Sequence, residues 1–336
     1  MQLFGKDLEQ EVVVVAEIGV NHEGDVEAAS TLLRLAAKSG ADAVKFQTFS
    51  PTRYISSSDP ERLERVTKFS LDKKSHQILA EEAKNLGVGF FSTPVTEDMV
   101  DFVSGLGPAI KIASGDLTFE SVIRKSASTG KTIILSTGCG SVEEIDLAVR
   151  WVEDEVGSKI IKNKLILMHC VSSYPTPHTQ ANILSIPFLS ERYDLKVGYS
   201  NHVIGSEVCI ASVALGACIV EVHFTDQSTG RSFRDHSISF EPDKFTKLVS
   251  SVRIVRDSLG DYSKNKQECE IENESAIRKG IVAANNLDKG HIISRDDLMF
   301  ARPASEFLSS EISMVIGKKL NKSISFGNLI CRSDIN

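Results

Sequence analysis

The chain has 336 residues, a formal net charge of −7 and an isoelectric point near 5.7. This acidic balance excludes nucleic acid or an anionic membrane as the main partner, because both recruit a net basic face. An anionic ligand would therefore need a local positive site. Apolar residues make up 41% and charged residues 25%, as in ordinary globular proteins.

The chain opens without a basic segment followed by an apolar stretch, and it contains no apolar run of about 18 residues. We therefore expect neither a signal peptide nor a transmembrane helix. The six cysteines form no C-x-x-C pair, and several lie in apolar runs such as LILMHC and VALGAC. This usage is typical of a reduced, cytoplasmic protein.

Eight short runs rich in β-branched residues alternate with segments of helical periodicity, several of which end in glycine. The runs span residues 12–19, 43–49, 89–94, 109–114, 132–138, 165–171, 197–201 and 219–225. Eight βα units predict an α/β fold of the TIM (β/α)8 barrel type over residues 1–260. A doubly wound open sheet of eight strands is the alternative.

Two stretches depart from this rhythm. Residues 50–73 form an unusually long connection between the second and third runs, and such βα loops cover the active-site face of barrels. Residues 261–275 are polar and aperiodic, which predicts a linker. Residues 276–336 contain short strand-like pieces (KGIVAA, HIIS and SISFGNLI), which predict a small β-rich domain that docks against the barrel or a neighbouring subunit.

Nearly every run ends in polar side chains, where a barrel places its chemistry. Three pairs stand two residues apart, so each pair shares one face of its strand: Lys45 with Gln47, Ser200 with His202, and Glu221 with His223. A single lysine at a strand end is as often solvated. Lys45 and Lys111, however, both lie between apolar neighbours, where an ammonium group is costly unless it meets an anion.

His202 and His223 follow consecutive predicted strands, close enough in a barrel to share one metal ion, although satisfied core histidines are the alternative. No nucleotide-binding glycine motif occurs. Phosphate-binding groups would instead be the turns Ser114-Gly115 and Ser136-Thr137-Gly138. The alternative is that both segments are ordinary βα turns in which serine caps the following helix.

The motifs, taken in order, resemble those of the sialic acid synthase family, which includes N-acetylneuraminate and legionaminate-type nonulosonate synthases. They are AEIGVNHEG (16–24), VKFQT (44–48), FSTP (91–94), KIASGD (111–116), LSTG (135–138), HCVSSYPTP (169–177), GYSNH (198–202), EVHFT (221–225), DHSISFEP (235–242) and ARP (301–303). The resemblance runs from about residue 12 to the end. It implies a TIM barrel followed by an antifreeze-like SAF domain of the β-clip type, exchanged across a domain-swapped homodimer.

The same resemblance implies a transferase that condenses phosphoenolpyruvate with N-acetylmannosamine or a related N-acylated hexose. It places a divalent metal, Mn²⁺ with Mg²⁺ and Co²⁺ as alternatives, on His202 and His223. The phosphoenolpyruvate residues it implies are Lys45, Thr93, Lys111, Ser114, Ser136, Ser172 and Ser200. Glu17 would sit beside the reacting carbons. The sugar residues would be Gln47, Tyr174, Asp235 and, from the partner subunit's chain, the residue equivalent to Arg302.

Some positions depart from the family pattern. Asn201 stands where Asp is common and Val222 where Lys or Arg is common, while Asp116 replaces a common Glu. The stretch GRSFRDH replaces a GPDH-like turn before Asp235, and PASEF follows Arg302 in place of a glycine-rich turn. The changes at Asp116 and before Asp235 would lie near the sugar, so the acceptor need not be plain N-acetylmannosamine.

Three other functions remain in view. Another phosphoenolpyruvate-condensing barrel would lack the terminal domain. A Schiff-base aldolase would use Lys45 or Lys111 on pyruvate. A polysaccharide-associated binding protein would keep the barrel without turnover, but the lysines and both histidines are present.

Overall fold

The computed structural model of the protein describes residues 1–304 and 306–336. The chain divides into two compact units, Met1–Gly260 and Asp261–Asn336. No helix in the described part of the chain is long and apolar enough to cross a membrane. Cys139, Cys170, Cys209, Cys218 and Cys269 are free thiols.

The first unit holds a hairpin and a closed parallel barrel. The hairpin strands are β1 (Gln2–Leu3) and β2 (Lys6–Asp7). The barrel strands are β3 (Val13–Gly19), β4 (Ala43–Thr48), β5 (Gly89–Pro94), β6 (Ala109–Ile112), β7 (Thr132–Ser136), β8 (Leu165–His169), β9 (Lys196–Asn201) and β10 (Ile219–His223). They follow one another in chain order around the barrel, and β10 closes on β3. The predicted TIM barrel is confirmed, and the open sheet is wrong.

Ten helices complete this unit. They are α1 (Val26–Lys38), α2 (Pro51–Tyr54), α3 (Pro60–Phe69), α4 (Lys73–Asn85), α5 (Val100–Ser104), α6 (Glu120–Ser128), α7 (Val142–Val156), α8 (Ser185–Tyr193), α9 (Glu207–Ala214) and α10 (Pro242–Ser258). Local signals fix their ends. Ser141 and Glu144 form a reciprocal capping box at the start of α7, and Gly157 ends it with φ 87°.

Strand alternation divides the barrel interior into an apolar lower layer and a polar upper layer. Val13 and Val15 point inward with Ile134 and Met168 in one buried apolar cluster. Two residues further along the same face, β3 carries Glu17. The outward-facing residues of the strands pack instead against the helices in the main core. The polar side chains at the upper strand ends are therefore a consequence of strand period.

The hairpin closes the lower end of the barrel. Leu3 and Leu8 are 3% and 4% exposed and pack into the lower apolar cluster. Its turn places Phe4 at φ 48° and Gly5 at φ 77°, and the Phe4 ring lies 5.1 Å from that of Phe91. Two-residue strands carry no periodic signal, so the sequence analysis did not predict this element.

The long connection 50–73 folds into α2 and α3, which lie at the C-terminal ends of the barrel strands as predicted. Gly24, in the loop after β3, allows the close approach of α3. A Cβ built there would lie 2.0 Å from the carbonyl oxygen of Lys68, and the φ of +88° also disfavours other residues. The glycine of NHEG is thus a packing contact with α3.

The second unit contains α11 (Glu268–Ile271), α12 (Glu274–Ile277) and the antiparallel pair β11 (Gly280–Ala283) and β12 (Leu298–Ala301). Its core includes Ile281, Leu298, Phe307, Val315 and Ile330. The strand-like pieces at 291–294 and 323–330 make only isolated bridges, such as Ile292 to Lys319 and Leu287 to Ile324. The assignment of residues 261–275 as a linker stays a prediction.

Substituting Gly24→Ala should destabilise the first unit and loosen α3, because the added methyl group overlaps the Lys68 carbonyl. Gly87→Ala is the matched control, since Gly87 has φ +71° but nothing within 4 Å of its added Cβ. The control should lose about 1–2 kcal/mol from backbone strain alone. Chemical denaturation should show a larger loss for Gly24→Ala, with faster hydrogen exchange over 60–69. Equal losses and unchanged exchange would contradict this packing role.

Candidate functional site

A cavity of about 950 Å³ opens at the C-terminal ends of the barrel strands. Every predicted site residue of the first unit lines it: Glu17, Lys45, Gln47, Thr93, Lys111, Ser114, Ser136, Ser172, Tyr174, Ser200, His202, His223 and Asp235. Arg302 belongs to the second unit. The cavity is also lined by α2 and α3 residues that the sequence analysis did not assign.

Four buried charges form the floor of this cavity, and we call them the charged quartet: Glu17, Lys45, Lys111 and Glu221. They are 2%, 4%, 3% and 4% exposed. Lys111 Nζ donates to both Glu221 carboxylate oxygens, at 2.9 and 3.1 Å. Lys45 Nζ lies 2.8 Å from Glu17 Oε2 and 3.6 Å from Glu221 Oε1. The anions that the buried lysines require are thus supplied by two carboxylates of the protein.

The quartet sets the protonation of its members. Burial opposes ionisation of Glu221, but Lys111 and Lys45 together lower the pKa of this carboxyl to about 2. Burial raises the pKa of Glu17 despite the Lys45 ammonium beside it. Burial likewise lowers the pKa of Lys111. Glu221 is therefore the firmly ionised centre of the group.

Hydroxyl groups converge beside the quartet. A Cβ built on Gly138 would lie 2.4 Å from Ser172 Oγ and 2.7 Å from Ser114 Oγ, so this glycine keeps a small cradle open. The Gly138 amide donates to Ser114 Oγ at 3.1 Å. Thr93 is 1% exposed, and its buried hydroxyl has no hydrogen-bond partner among the described residues. A free buried donor in a polar cavity fits a bound oxyanion.

His202 and His223 stand together in the same cavity, with ring centroids 5.6 Å apart, and His223 lies two residues beyond Glu221 on the same strand. His202 Nδ1 bonds the Val171 carbonyl oxygen at 2.7 Å, which leaves Nε2 available as a ligand. Burial, with His223 nearby, lowers the pKa of His202 to about 4, and burial also lowers that of His223. Both rings are thus neutral near pH 7, as metal ligation requires.

The two imidazoles are the cavity side chains predicted to bind a metal ion. The described residues contain no group of three or more His, Cys, Asp or Glu side chains arranged to hold a metal ion. A bound ion would therefore take its other ligands from substrate or water, as catalytic sites with open positions do. The donor set fits a divalent ion.

The predicted sugar residues adjoin the imidazoles. The Tyr174 ring packs against that of His202, with centroids 4.1 Å apart and planes tilted by 37°, and the Arg234 guanidinium lies over Tyr174 at 4.9 Å. Arg234 Nε also donates to Asp235 at 3.2 Å. Gln47 Nε2 donates to Glu17 Oε1 at 3.3 Å, which joins this region to the quartet.

A hydrogen-bond network fixes the loop that carries Asp235. His236 is buried between Thr225 Oγ1, 2.7 Å from Nδ1, and Glu23 Oε1, 3.2 Å from Nε2. Asn21 Nδ2 donates to Ser239 Oγ at 3.0 Å, and Ser239 Oγ donates to the Asp235 carbonyl oxygen. The polar residues of NHEG thereby hold the sugar-side loop to β3.

Two family departures lie outside the cavity. Asn201 is 2% exposed, accepts from Tyr199 Oη at 3.1 Å and donates to the Val203 carbonyl oxygen at 2.7 Å. Val222 packs in the layer between strands and helices. Asp116, by contrast, lines the cavity, and burial raises its pKa to about 6. Asn201 is thus held by hydrogen bonds within its own strand end and does not line the cavity.

The closed barrel and the polar cavity at its C-terminal face place the chain among (β/α)8-barrel proteins with a small-molecule site at that face. A sequence model of the NeuB family matches residues 32–264, and a model of the SAF domain matches residues 278–336. The chain therefore belongs to the NeuB family and carries a SAF domain after its barrel. This confirms the resemblance that the motifs indicated.

Several relatives are nonulosonic acid synthases. The N,N′-diacetyllegionaminic acid synthase of Campylobacter jejuni is 36% identical over 96% of this chain and 99% of its own length. That of Legionella pneumophila is 34% identical over 94% of this chain and 92% of its own. The crystal structure of N-acetylneuraminic acid synthetase from Leptospira borgpetersenii in complex with citrate has a TM-score of 0.73 and 33% identity, covering 78% of this chain and 90% of that one.

Among the cavity residues to which the sequence analysis gave no role are Glu221, Arg62, Arg65 and Arg234. The sequence analysis placed Glu221 on the same strand face as His223. It did not infer that two buried lysines require two carboxylates, of which Glu221 is one. Arg62 and Arg65 lie in the long connection, where no period marked which residues face the barrel. Arg234 stands in the FRDH turn, which departs from the family pattern. That departure was the sequence signal that could have pointed to Arg234.

Glu221→Gln should strongly destabilise the protein, because it removes the carboxylate that both buried ammonium groups share. We expect the free energy of unfolding, measured in urea, to fall by about 3–5 kcal/mol. Glu120→Gln removes one of the three carboxylate partners of Arg124, in a solvent-accessible pair, and should cost less than about 1 kcal/mol. Similar small losses for both variants would show that the quartet does not bear on stability.

Proposed function

We propose that this protein condenses phosphoenolpyruvate with an N-acylated hexose, forming a nine-carbon 2-keto acid sugar and releasing inorganic phosphate. The observation that carries the proposal is that the charged quartet and two neutral imidazoles line one polar cavity. The kinship with nonulosonic acid synthases supports it. The two N-acetyl groups named in the legionaminic acid relatives favour a diacetamido hexose as one acceptor to be tested.

The phosphoenolpyruvate end of the cavity is assigned to the lysines and the hydroxyl cradle. Lys45 and Lys111 would turn part of their hydrogen bonding from carboxylates of the protein to those of the substrate. Ser114, Ser172 and the free Thr93 hydroxyl would bind phosphate oxygens, with Ser136 and Ser200 completing the lining. Because these donors are fixed before binding, little reorganisation accompanies the reaction.

The sugar end is assigned to the wall with the imidazoles. His202 and His223 would hold a divalent ion, with Mn²⁺ preferred, whose chemistry is to polarise the open-chain aldehyde as a Lewis acid. Tyr174, Gln47 and Asp235 would orient the sugar hydroxyl and amide groups. The neutral state of both rings and the free Nε2 of His202 support this assignment.

In the reaction, C3 of phosphoenolpyruvate bonds to C1 of the acceptor, and the aldehyde oxygen takes up a proton. Positive character at C2 is then relieved when water adds there and loses a proton. The C2–O bond to phosphate breaks, which leaves the keto group. Glu17 would stabilise the cationic centre or direct the water, since its carboxylate lines the cavity, with Lys45 2.8 Å from Oε2 and Gln47 3.3 Å from Oε1.

The remaining expectations are part of this proposal. Arg302 would complete the sugar site of a partner subunit in a domain-swapped homodimer. Cytoplasmic location also stays a prediction. A Schiff-base aldolase is disfavoured because each buried lysine is already engaged by a carboxylate, and borohydride with pyruvate should trap no adduct.

The direct test is phosphate release from phosphoenolpyruvate with a panel of N-acylated, diacetamido and 6-deoxy hexoses. Turnover should appear with at least one acceptor, vanish after chelation and return with Mn²⁺. His223→Ala should lose activity and metal binding, measured by calorimetry, while circular dichroism stays native. Full activity after chelation would refute the Lewis-acid role, and no release with any acceptor would refute the function.

Gly138→Ala should raise the KM for phosphoenolpyruvate at least about ten-fold, because the added methyl group fills the hydroxyl cradle. The KM for the sugar should change far less. Gly105→Ala is the matched control, since its Cβ meets only the Phe102 carbonyl oxygen at 3.4 Å. Unaltered phosphoenolpyruvate kinetics in Gly138→Ala would place the phosphate elsewhere.

A further inference from the structure

The two imidazoles assigned to the metal ion are held in place by different means. His223 is the last residue of β10, and its backbone pairs with Glu17 in the ladder between β10 and β3. The ladder between β9 and β10 ends at Asn201, which is also the last residue of β9, so His202 follows the last paired residue of its strand. The sheet therefore fixes His223 directly, whereas His202 depends on other contacts.

The loop after β8 supplies some of these contacts. His202 Nδ1 bonds the Val171 carbonyl oxygen at 2.7 Å, and the Thr176 amide donates to the His202 carbonyl oxygen at 2.8 Å. The Tyr174 ring, in the same loop, packs against the imidazole with centroids 4.1 Å apart. These contacts hold the ring and the carbonyl group of His202, but they do not set the direction of the chain beyond it.

The side chain of Asn201 sets that direction through two bonds to Val203, which we call the Asn201 clamp. Asn201 Oδ1 accepts from the Val203 amide at 3.1 Å, and Asn201 Nδ2 donates to the Val203 carbonyl oxygen at 2.7 Å. Because Val203 follows His202, both bonds reach past the histidine and fix the peptide groups on its far side. A side-chain oxygen that accepts from the amide two residues further on imposes a turn on the backbone between them.

The Asn201 clamp is buried and is held from outside the cavity. Strand alternation places Ser200 and His202 on the cavity face of β9, and Tyr199 and Asn201 on the opposite face. Tyr199 Oη donates to Asn201 Oδ1 at 3.1 Å, and both residues are 2% exposed. Water does not replace a lost hydrogen bond in such surroundings, so loss of the amide would leave Val203 and Tyr199 polar groups without this partner.

We propose that Asn201 is a positioning residue for the metal centre, whose side-chain oxygen holds the backbone turn that points the His202 imidazole into the cavity. The proposal rests on the function proposed above, because it concerns the ion assigned to His202 and His223. Asn201 does not line the cavity, so it acts through His202 and not by contact with the ion or a substrate.

Two substitutions at Asn201 separate this role from packing. Asn201→Leu keeps a side chain of similar size and removes every bond of the Asn201 clamp, whereas Asn201→Asp keeps the acceptor oxygen and loses only the bond from Nδ2. Calorimetric titration with Mn²⁺ should give a dissociation constant at least about ten-fold higher for Asn201→Leu, and within about three-fold of the unaltered value for Asn201→Asp. In the metal-free protein, hydrogen exchange over 202–204 should be about ten-fold faster in Asn201→Leu alone.

Phosphoenolpyruvate binding distinguishes positioning from general damage. Its KM should stay within about two-fold in both variants while kcat falls at least about ten-fold in Asn201→Leu, because the lysines and the hydroxyl cradle are untouched. Asn286→Leu is the matched control. Asn286 Oδ1 accepts from the Phe326 amide at 2.8 Å in the second unit, so this substitution removes the same kind of bond in a different unit. It should leave the affinity for Mn²⁺ unchanged.

The outcomes separate the positioning role from the proposed function. Unchanged Mn²⁺ affinity in Asn201→Leu, or an equal loss in Asn201→Asp, overturns the role of the Asn201 oxygen while the proposed function stands. A parallel loss of phosphoenolpyruvate binding in Asn201→Leu shows general damage and overturns it too. An unaltered protein that neither binds Mn²⁺ nor releases phosphate with any acceptor defeats the proposed function, and this proposal with it.

Discussion

The site is built around four charges enclosed in a barrel. Ion pairs at such depth do not stabilise by Coulomb attraction alone, because each charge first loses its hydration. They persist here because geometry is favourable: Lys111 reaches both oxygens of Glu221, and Ser200 Oγ donates to the same carboxylate at 3.0 Å. The quartet is thus fixed in place, and in the proposed function an incoming anion would exchange partners with the two carboxylates.

The rest of the fold supports this arrangement. The lower barrel is closed by Leu3, Leu8 and the inward apolar residues of the strands, which separates the charges from solvent on that side. Above, Asn21 and Glu23 hold the loop that carries Asp235, while Gly24 admits α3. The lower apolar layer and the upper polar layer of the barrel interior are both formed by the inward-facing residues of the same strands.

Much of this could be predicted from the sequence. Strand runs gave the barrel, and two-residue spacing put Lys45 with Gln47 and Glu221 with His223 on the inner face. The motifs then indicated the family. The ion-pair partners of the buried lysines could not be predicted. Whether Lys111 contacts Glu221 or a substrate depends on distances across the barrel, which the sequence does not contain. The hairpin β1–β2 could not be predicted because strands of two residues show no periodic pattern.

The sequence could not predict for a related reason that Arg62 and Arg65 line the cavity. The polar helix α3 carries alternating charges, as solvated helices do, and only its packing against Phe233 shows which face meets the cavity. The FRDH turn, which departs from the family pattern, indicated a difference near the predicted sugar site. It gave no information about the arginines of α3. In the proposed function, the loops above the barrel contribute to the choice of acceptor, whereas phosphoenolpyruvate is assigned to the strands and the turns that follow them.

The central claim is that the lysines of the quartet exchange protein carboxylates for a substrate anion. A crystal structure of the protein with phosphoenolpyruvate tests this most directly. The account predicts the carboxylate or phosphate oxygens within hydrogen-bond distance of Lys45 and Lys111, with Thr93 and the Gly138 cradle on the phosphate. Lysines that remain bound only to Glu17 and Glu221, with the ligand elsewhere, would contradict it.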